Sequence, residues 1–176
     1  FAPIENPSPD INRAALGVPE GHSVVVALAR YHPVKGLDTL IRAASTIPDI
    51  HVWLAGKGSE ENKLRMLAGE LGCSDRVHFL GWRRDGDALL RAADICAVPS
   101  RSEPFGNVVV QAWAQHCPLI CSRSQGPLQF ARDGQDCLMF DIDDVTTLQS
   151  HLQKLISDRE LCLRLKGAGY ERFTNE

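Results

Sequence analysis

The chain has 176 residues, of which 44% are apolar and 23% charged, the composition of an ordinary globular domain. Its 19 basic and 22 acidic residues give a net charge of −3, which argues against nucleic acid as a partner. No apolar run approaches the roughly 18–20 residues that span a bilayer, so no membrane-spanning helix is expected.

The first 22 residues differ in composition from the rest of the chain. They are rich in proline and polar residues, and we expect a linker that leads into a short helix. From residue 23 onward, short β-branched runs alternate with amphipathic stretches. The predicted strands are residues 23–29, 50–55, 76–81, 95–100, 118–122 and 136–140. The predicted helices are residues 36–45, 60–72 and 86–94, two that begin near residues 108 and 128, and two at the C-terminal end.

This alternation predicts an α/β fold. About six strands would form a doubly wound parallel sheet, with helices on both faces and right-handed crossovers. In such sheets, ligands bind at the carboxyl ends of the strands. The loops that follow the strands are therefore the places to search for function.

The loop after the first strand carries two cations, Arg30 and Lys35. Lys35 precedes Gly36 and a helix start, where a basic group opposes the helix dipole. Two cations at the end of one strand suit an anion, most naturally a phosphate. The alternative is a pair of exposed cations with no ligand.

The loop after the second strand contains Gly56 and Gly58. They match part of a dinucleotide fingerprint, but Glu61 stands where the third glycine would be. Two interpretations stay open: a tight turn between strand and helix, or a close approach of the backbone to a ligand.

The loop after the fourth strand is the most informative. Gly106 permits an unusual backbone angle, and Asn107 is predicted to cap the next helix. Such a helix N-terminus is a seat for an anion. Gln111 lies four residues after Asn107, so both share one helix face. Glu103 stands at the entrance of the same site, either toward a ligand or simply as the partner of the nearby cations.

Other chemistries have little support. The sequence lacks the G-x-S-x-G, Walker A and H-E-x-x-H motifs. Its six cysteines include no C-x-x-C pair, so packed, reduced thiols are expected. His116, Cys117 and Cys121 form a loose cluster, but no second ligand pair follows at a spacing typical of zinc. We therefore expect no metal site.

Several blocks of sequence occur together in a familiar order. They are FAP at residues 1–3, RAALGVP, ARYHPVKGLDTLIRAA, WLAGKGSEENKLRMLAGELGCSDRVHFLGW, ADICAVPSRSEPFGNVVVQAWA and CPLICSRSQGPLQFARDG. With them the chain resembles the C-terminal, nucleotide-sugar-binding domain of retaining GT-B glycosyltransferases of the group 1 or family-four type. The resemblance covers essentially the whole chain. It implies a Rossmann-like domain at residues 23–176, one half of a GT-B fold, preceded by an interdomain segment at residues 1–22.

The resemblance also implies roles for individual residues. Arg30 and Lys35 would hold the diphosphate of a UDP- or GDP-linked sugar and stabilise the leaving nucleotide, and Glu103 would contact the transferred sugar. No metal would be required. The remaining positions implied to contact the nucleotide or sugar are Gly56, Gly58, Arg76, Val77, Gly81, Phe105, Gly106, Asn107 and Gln111.

Three positions depart from the family pattern. Gln111 stands where a second glutamate usually binds the ribose, and an amide can accept only one of the two hydrogen bonds that a carboxylate accepts. His116 replaces a glycine, and Gln129 replaces a common glutamate. These changes affect the expected contacts to ribose more than those to the diphosphate.

The chain begins at Phe1 rather than Met, and we expect it to be part of a longer protein. The resemblance implies an N-terminal domain, absent from this chain, that supplies the site for a carbohydrate or lipid-linked acceptor and any membrane contact. A cytoplasmic enzyme of cell-envelope polysaccharide or lipopolysaccharide synthesis is expected, and the isolated chain should bind a nucleotide weakly without turnover. Two alternatives stay open: a nucleotide-sugar epimerase-like enzyme, and a degenerate, non-catalytic nucleotide-binding module.

Overall fold

The computed structural model describes residues 8–175, so the motif at residues 1–3 and part of the predicted linker lie outside the described residues. The strands are β1 Ser23–Leu28, β2 Ile50–Ala55, β3 Val77–Gly81, β4 Ile95–Val98, β5 Leu119–Ser122 and β6 Leu138–Phe140. The helices are α1 Leu37–Ser45, α2 Glu61–Glu70, α3 Gly86–Ala92, α4 Asn107–Ala114, α5 Gln125–Phe130, α6 Val145–Ser157 and α7 Arg159–Asn175. Short 3-10 turns occupy Ala14–Leu16, Pro33–Lys35 and Ser74–Arg76.

The six strands form one parallel sheet in the order β3-β2-β1-β4-β5-β6. The predicted doubly wound α/β fold is therefore confirmed. The strand order reverses between β1 and β4, and the helices that follow these two strands, α1 and α4, pack on opposite faces of the sheet. In doubly wound sheets, this arrangement opens a crevice for a ligand.

Each face of the sheet has its own apolar core. In β1, Val25 and Ala27 join the core under α1, α2 and α6, whereas Val24 and Val26 join the core under α3 and α4. This alternation follows from the two-residue period of a strand, and burial on both faces explains the continuous apolar run. Helix α7 contributes to both cores, with Leu161 on one side and Phe173 on the other.

The structure corrects several details of the predicted elements. Gly106, in the left-handed conformation with φ 69°, occupies the N-cap of α4, so the prediction of Asn107 as the cap is wrong and Asn107 is the first helical residue. Strand β4 ends at Val98, before Pro99, because proline lacks the N–H that would continue the ladder. The spacing of Val145, Leu148, Leu152, Leu155 and Ile156 predicts one apolar stripe on α6. The three leucines are buried, but Ile156 is 40% exposed.

The six cysteines are free, and five of them are buried, as expected of packed thiols. Within residues 8–175, no group of three potential ligands is arranged to hold a metal ion. No helix in the same range combines the length and the apolar character needed to cross a membrane.

Candidate functional site

The loops after β1 and β4 meet at the carboxyl edge of the sheet, where the strand order reverses. The backbone N–H of Arg101, after β4, donates a hydrogen bond of 2.7 Å to the carbonyl of Val34, after β1. The side chain of His32 accepts a hydrogen bond from the Val34 N–H and caps the 3-10 turn Pro33–Lys35. This turn fixes the position of Lys35 at the site.

Lys35 and Glu103 form an ion pair between these two loops. Lys35 Nζ donates to Glu103 Oε2 at 2.6 Å, and the side chains are only 20% and 14% exposed. The other carboxylate oxygen, Oε1, accepts a hydrogen bond of 3.3 Å from the Gly106 N–H. Burial is the largest single influence and raises the pKa of Glu103, but the hydrogen bond and charge of Lys35, together with the backbone N–H groups of Gly106 and Phe105, outweigh it and hold the pKa below its usual value. The carboxylate is therefore charged at neutral pH.

Arg30 lies at the same edge but takes no part in this pair. Its side chain is exposed, and no described residue of the chain forms an ion pair or hydrogen bond with its guanidinium. Glu103 is therefore an ion-pair partner of Lys35, as one of its two interpretations expects, but it does not pair with Arg30. Arg30 is a cation whose donors are available to a ligand.

A cleft of about 1070 Å³ opens beside these loops. This volume is at the upper end of the range for pockets that bind small molecules and cofactors. The cleft runs from the carboxyl ends of β1 and β2 along α3 and α4 to the end of α7. Its walls include Leu28, Ala29, Arg30, Gly56, Lys57, Trp82, Arg83, Arg84, Leu90, Val108, Gln111, Tyr170 and Phe173. Lys35 and Glu103 are not wall residues and lie on the adjoining loops.

Gly56 and Gly58 are explained by contacts within the chain. A Cβ atom on Gly56 would lie 1.9 Å from the carbonyl oxygen of Ala29, and one on Gly58 would lie 2.2 Å from that of Tyr31. The β2 loop thus packs its backbone directly against the β1 loop. This favours the tight-turn interpretation for both glycines, although Gly56 also forms part of the cleft wall.

The turn before α4 presents a helix N-terminus at the site, as predicted. Gly106 is packed under Phe130, because a Cβ at position 106 would lie 2.9 Å from that ring. Phe105 is 76% exposed, and Asn107 is also exposed. One turn later, the exposed Gln111 lines the cleft, so the predicted common face of Asn107 and Gln111 points away from the core.

Arg76 and Val77 are not part of this site. They stand at the amino end of β3, whereas the cleft opens at the carboxyl ends. The Arg76 guanidinium donates hydrogen bonds of 2.8 to 3.2 Å to the carbonyls of Ser45, Ile47 and Ile50. The structure therefore does not bring these two predicted positions to the cleft, and Arg76 instead ties the end of α1 to the start of β2.

Gly81 lies at the carboxyl end of β3, and its carbonyl accepts a hydrogen bond of 2.8 Å from the Gly56 N–H. The residues just after it reach the cleft. Trp82 is 61% exposed there, and the Arg84 guanidinium lies 5.6 Å from the centre of its ring.

Several wall residues were missed by the sequence analysis. Lys57 and Trp82 directly follow predicted site glycines, so their position after a strand end was an available signal. Tyr170 and Phe173 gave no local signal, because they reach the cleft from the last helix of the chain.

Comparison with known proteins identifies close relatives of the chain. The family model described as glycosyl transferases group 1 matches residues 9–172. The lipopolysaccharide core biosynthesis glycosyltransferase LpsE of Rhizobium meliloti (strain 1021) is 38% identical over 166 residues, which are 94% of this chain and 49% of LpsE. A D-inositol 3-phosphate glycosyltransferase of Mycobacterium sp. (strain KMS) is 40% identical over 152 residues, 82% of this chain and 35% of that protein.

Solved structures share the fold. Anabaena HepE (Alr3699), solved in complex with UDP-glucose, has a TM-score of 0.88 at 27% identity, covering 92% of this chain and 46% of HepE. Sucrose-phosphate synthase from Thermosynechococcus elongatus has a TM-score of 0.83 at 29% identity, covering 92% of this chain and 43% of that protein. The chain thus spans about half the length, or less, of the relatives it matches.

Proposed function

The chain belongs to the group 1 glycosyl transferases, and we propose that it is the donor-binding half of a retaining enzyme that moves a sugar from a nucleoside-diphosphate sugar to an acceptor. The observation that carries this proposal is the arrangement at the reversal of strand order. There, Arg30, Lys35 and Glu103 stand on neighbouring loops beside a cleft of about 1070 Å³.

The charges at this edge suit a diphosphate. Arg30 offers donors that no described residue occupies, and Lys35 is held by Glu103 and its 3-10 turn. In the proposal, both cations bind the diphosphate and stabilise the negative charge that develops on the leaving nucleotide. We propose that these fixed charges and the N-terminus of α4 do this without a bound metal ion. Glu103, ionised and anchored at both oxygens, would contact the transferred sugar.

The cleft suits the nucleoside. The exposed Trp82 ring offers a flat apolar surface, and Gln111 offers an amide that can hydrogen-bond a ribose hydroxyl. HepE, a structural neighbour, was solved with UDP-glucose, which supports a UDP-linked donor ahead of a GDP-linked one.

The acceptor and the process are proposed from the relatives. Two matched proteins of Rhizobium meliloti are named as lipopolysaccharide core biosynthesis glycosyltransferases. We therefore propose that the acceptor is a carbohydrate or lipid-linked molecule of cell-envelope synthesis, and that the enzyme acts in the cytoplasm. A second domain would bind the acceptor and make any membrane contact. The epimerase-like alternative is not favoured, because the matched relatives carry glycosyltransferase names.

Calorimetric titration of the 176-residue chain with UDP, GDP and ADP tests the proposal. We expect one of them, most readily UDP, to bind weakly, and we expect no sugar transfer by the chain alone. Binding of none of the three would favour the degenerate, non-catalytic module. Sugar transfer by the isolated chain would contradict the need for a second domain.

A further inference from the structure

Arg101 connects three segments of the chain around the site, and the proposed function gives it no role. It lies in the loop after β4, two residues before Glu103. Its guanidinium donates hydrogen bonds to the Pro33 carbonyl at 2.5 Å and to Asp38 Oδ2 at 2.8 Å. A third contact joins Nε to Asp143 Oδ1 at 2.8 Å. These partners come from the loop after β1, from α1 and from the loop after β6.

The backbone around Arg101 strengthens the same connection. The N–H groups of Arg101 and Ser102 both point to the Val34 carbonyl, at 2.7 and 3.4 Å. Asp143 is also fixed from the other side, because Thr39 Oγ1 donates to it at 3.0 Å. Pro33 and Val34 directly precede Lys35, and Arg101 lies two residues before Glu103. The side chain and backbone of Arg101 therefore hold together the two loops that carry the Lys35–Glu103 pair.

This network does not look like a device for overall stability. The side chains of Arg101, Asp38 and Asp143 are 30%, 38% and 51% exposed. Ion pairs this close to solvent contribute little to folding free energy. The three hydrogen bonds from the planar guanidinium instead fix the orientation of the segments they join, since the group fits several acceptors only in one geometry.

We infer that Arg101 is a positioning residue for the donor diphosphate: it holds the Pro33–Lys35 turn against the β4 loop, so that Lys35 and Glu103 face the ligand in fixed register. This inference rests on the proposed function of the site. Arg101 itself need not touch the donor, and its effect is exerted through Lys35.

A double-mutant cycle on UDP affinity tests this. We expect Arg101→Ala to weaken UDP binding about tenfold, and to weaken it less than about twofold when Lys35→Ala is already present. A long-range effect of the Arg101 charge would instead add to the loss from Lys35→Ala. Arg101→Lys keeps the charge but not the fork, and should lose nearly as much affinity as Arg101→Ala.

A matched control is Arg123→Ala. Arg123 also pairs with two carboxylates, those of Asp133 and Asp141, but in the loop after β5. It should change thermal stability about as much as Arg101→Ala while leaving UDP affinity unchanged. Equal affinity losses in Arg123→Ala and Arg101→Ala, full affinity in Arg101→Lys, or additive losses in the cycle would each overturn the inference.

Hydrogen exchange separates this inference from the proposed function. In Arg101→Ala, amides in residues 32–36 and 101–107 should exchange faster, while those of α6 and α7 should not change. If wild-type chain binds no UDP, GDP or ADP, the proposed function fails and the donor role of Arg101 fails with it. If wild-type chain binds UDP but exchange in both segments is unchanged in Arg101→Ala, only the positioning role fails.

Discussion

Lys35 Nζ lies 2.6 Å from Glu103 Oε2, so a cation from the β1 loop and a carboxylate from the β4 loop form one ion pair where the strand order reverses. A phosphate that approaches Lys35 must therefore compete with Glu103 for the positive charge of the Lys35 ammonium. The carboxylate in turn stays ionised, since Lys35 holds its pKa down against the effect of burial. Arg30, which has no such partner among the described residues, differs from Lys35 in this respect.

Replacing Glu103 distinguishes its two roles, as the partner of Lys35 and as a sugar contact. Glu103→Gln keeps the shape but removes the charge, which frees the Lys35 ammonium for a phosphate. We therefore expect UDP affinity to be unchanged or up to about threefold higher. UDP-glucose should lose any advantage it has over UDP. Calorimetry with both ligands measures this, and a tenfold loss of UDP affinity would mean that Glu103 serves the phosphate site itself.

Replacing Arg30 tests whether its exposed guanidinium serves a ligand. Arg30→Ala should change the free energy of unfolding by less than about 0.5 kcal/mol, because no described residue pairs with this side chain. UDP affinity should fall about tenfold, which is the worth of one charge-assisted hydrogen bond, while uridine affinity is kept. Arg159→Ala is the control. It removes the same charge from an exposed position at the start of α7, at the opposite end of that helix from the cleft. Equal weakening of UDP and uridine by Arg30→Ala would exclude a phosphate contact.

Much of the fold could be predicted because its signals are local. The β-branched runs at Ser23–Leu28 and Ile50–Ala55 have the length of strands, and burial on both faces makes them continuous. The limits of these signals are equally local. Asn107 has the chemistry of an N-cap, yet the cap is Gly106, because the chain turns there under Phe130 with a positive φ.

The site was predictable mainly where residues lie in a loop that follows a strand. Arg30, Lys35 and Glu103 lie in such loops, and parallel strands bring these loops to one edge. Arg76 and Val77 precede a strand, which places them at the opposite edge. The reach of Phe173 into the cleft depends on how the last helix packs across α4, a contact between residues distant in sequence that no short pattern reveals.

Gln111 offers a test of the contact to ribose. Gln111→Glu restores a second acceptor oxygen on the cleft wall, so UDP affinity should rise by about two- to tenfold. The gain should be smaller for 2′-deoxy-UDP, which lacks one hydroxyl. Gln115→Glu, one turn further along the same wall, is the control and should leave the ratio of the two affinities unchanged. An equal gain for both ligands in Gln111→Glu would show that the new charge acts without a ribose contact.

The glycines of the β2 loop allow a test of backbone packing. Gly58→Ala would force a Cβ to within 2.2 Å of the Tyr31 carbonyl oxygen, so we expect a loss of about 3 kcal/mol or more in the free energy of unfolding. Gly72→Ala has open space around its Cβ but a φ of +66°, and should lose only about 1–2 kcal/mol. Urea denaturation of both variants measures the difference. Similar losses in the two would mean that the β2 loop can move away from the β1 loop.

Three histidines at the amino edge of the sheet should make stability depend on pH. His51 contacts His22 at 3.1 Å and His78 at 2.8 Å through ring nitrogens, and Asp49 lies 3.5 Å from the far nitrogen of His22. Burial is the main cause that lowers the pKa of His51, followed by the neighbouring histidines and Arg76, while Asp75 opposes the shift. Burial also lowers the pKa of His78.

A lowered pKa means that the unfolded chain binds these protons more tightly than the folded chain. The stabilisation is thus fully present above the unfolded value of about 6.5 and is lost as the pH falls toward the lowered folded values. Urea denaturation at pH 7.5, 6.5, 5.5 and 5.0 should show stability declining by at most about 1.4 kcal/mol per pH unit for each proton taken up. The ion-paired carboxylates Asp85, Asp87, Glu103 and Asp143 have pKa values lowered from their ordinary range, so they titrate below this window. His51→Phe should flatten the decline, whereas His151→Gln, outside the histidine cluster, should keep it. A decline that is as steep in His51→Phe as in wild type would assign the pH dependence to other groups.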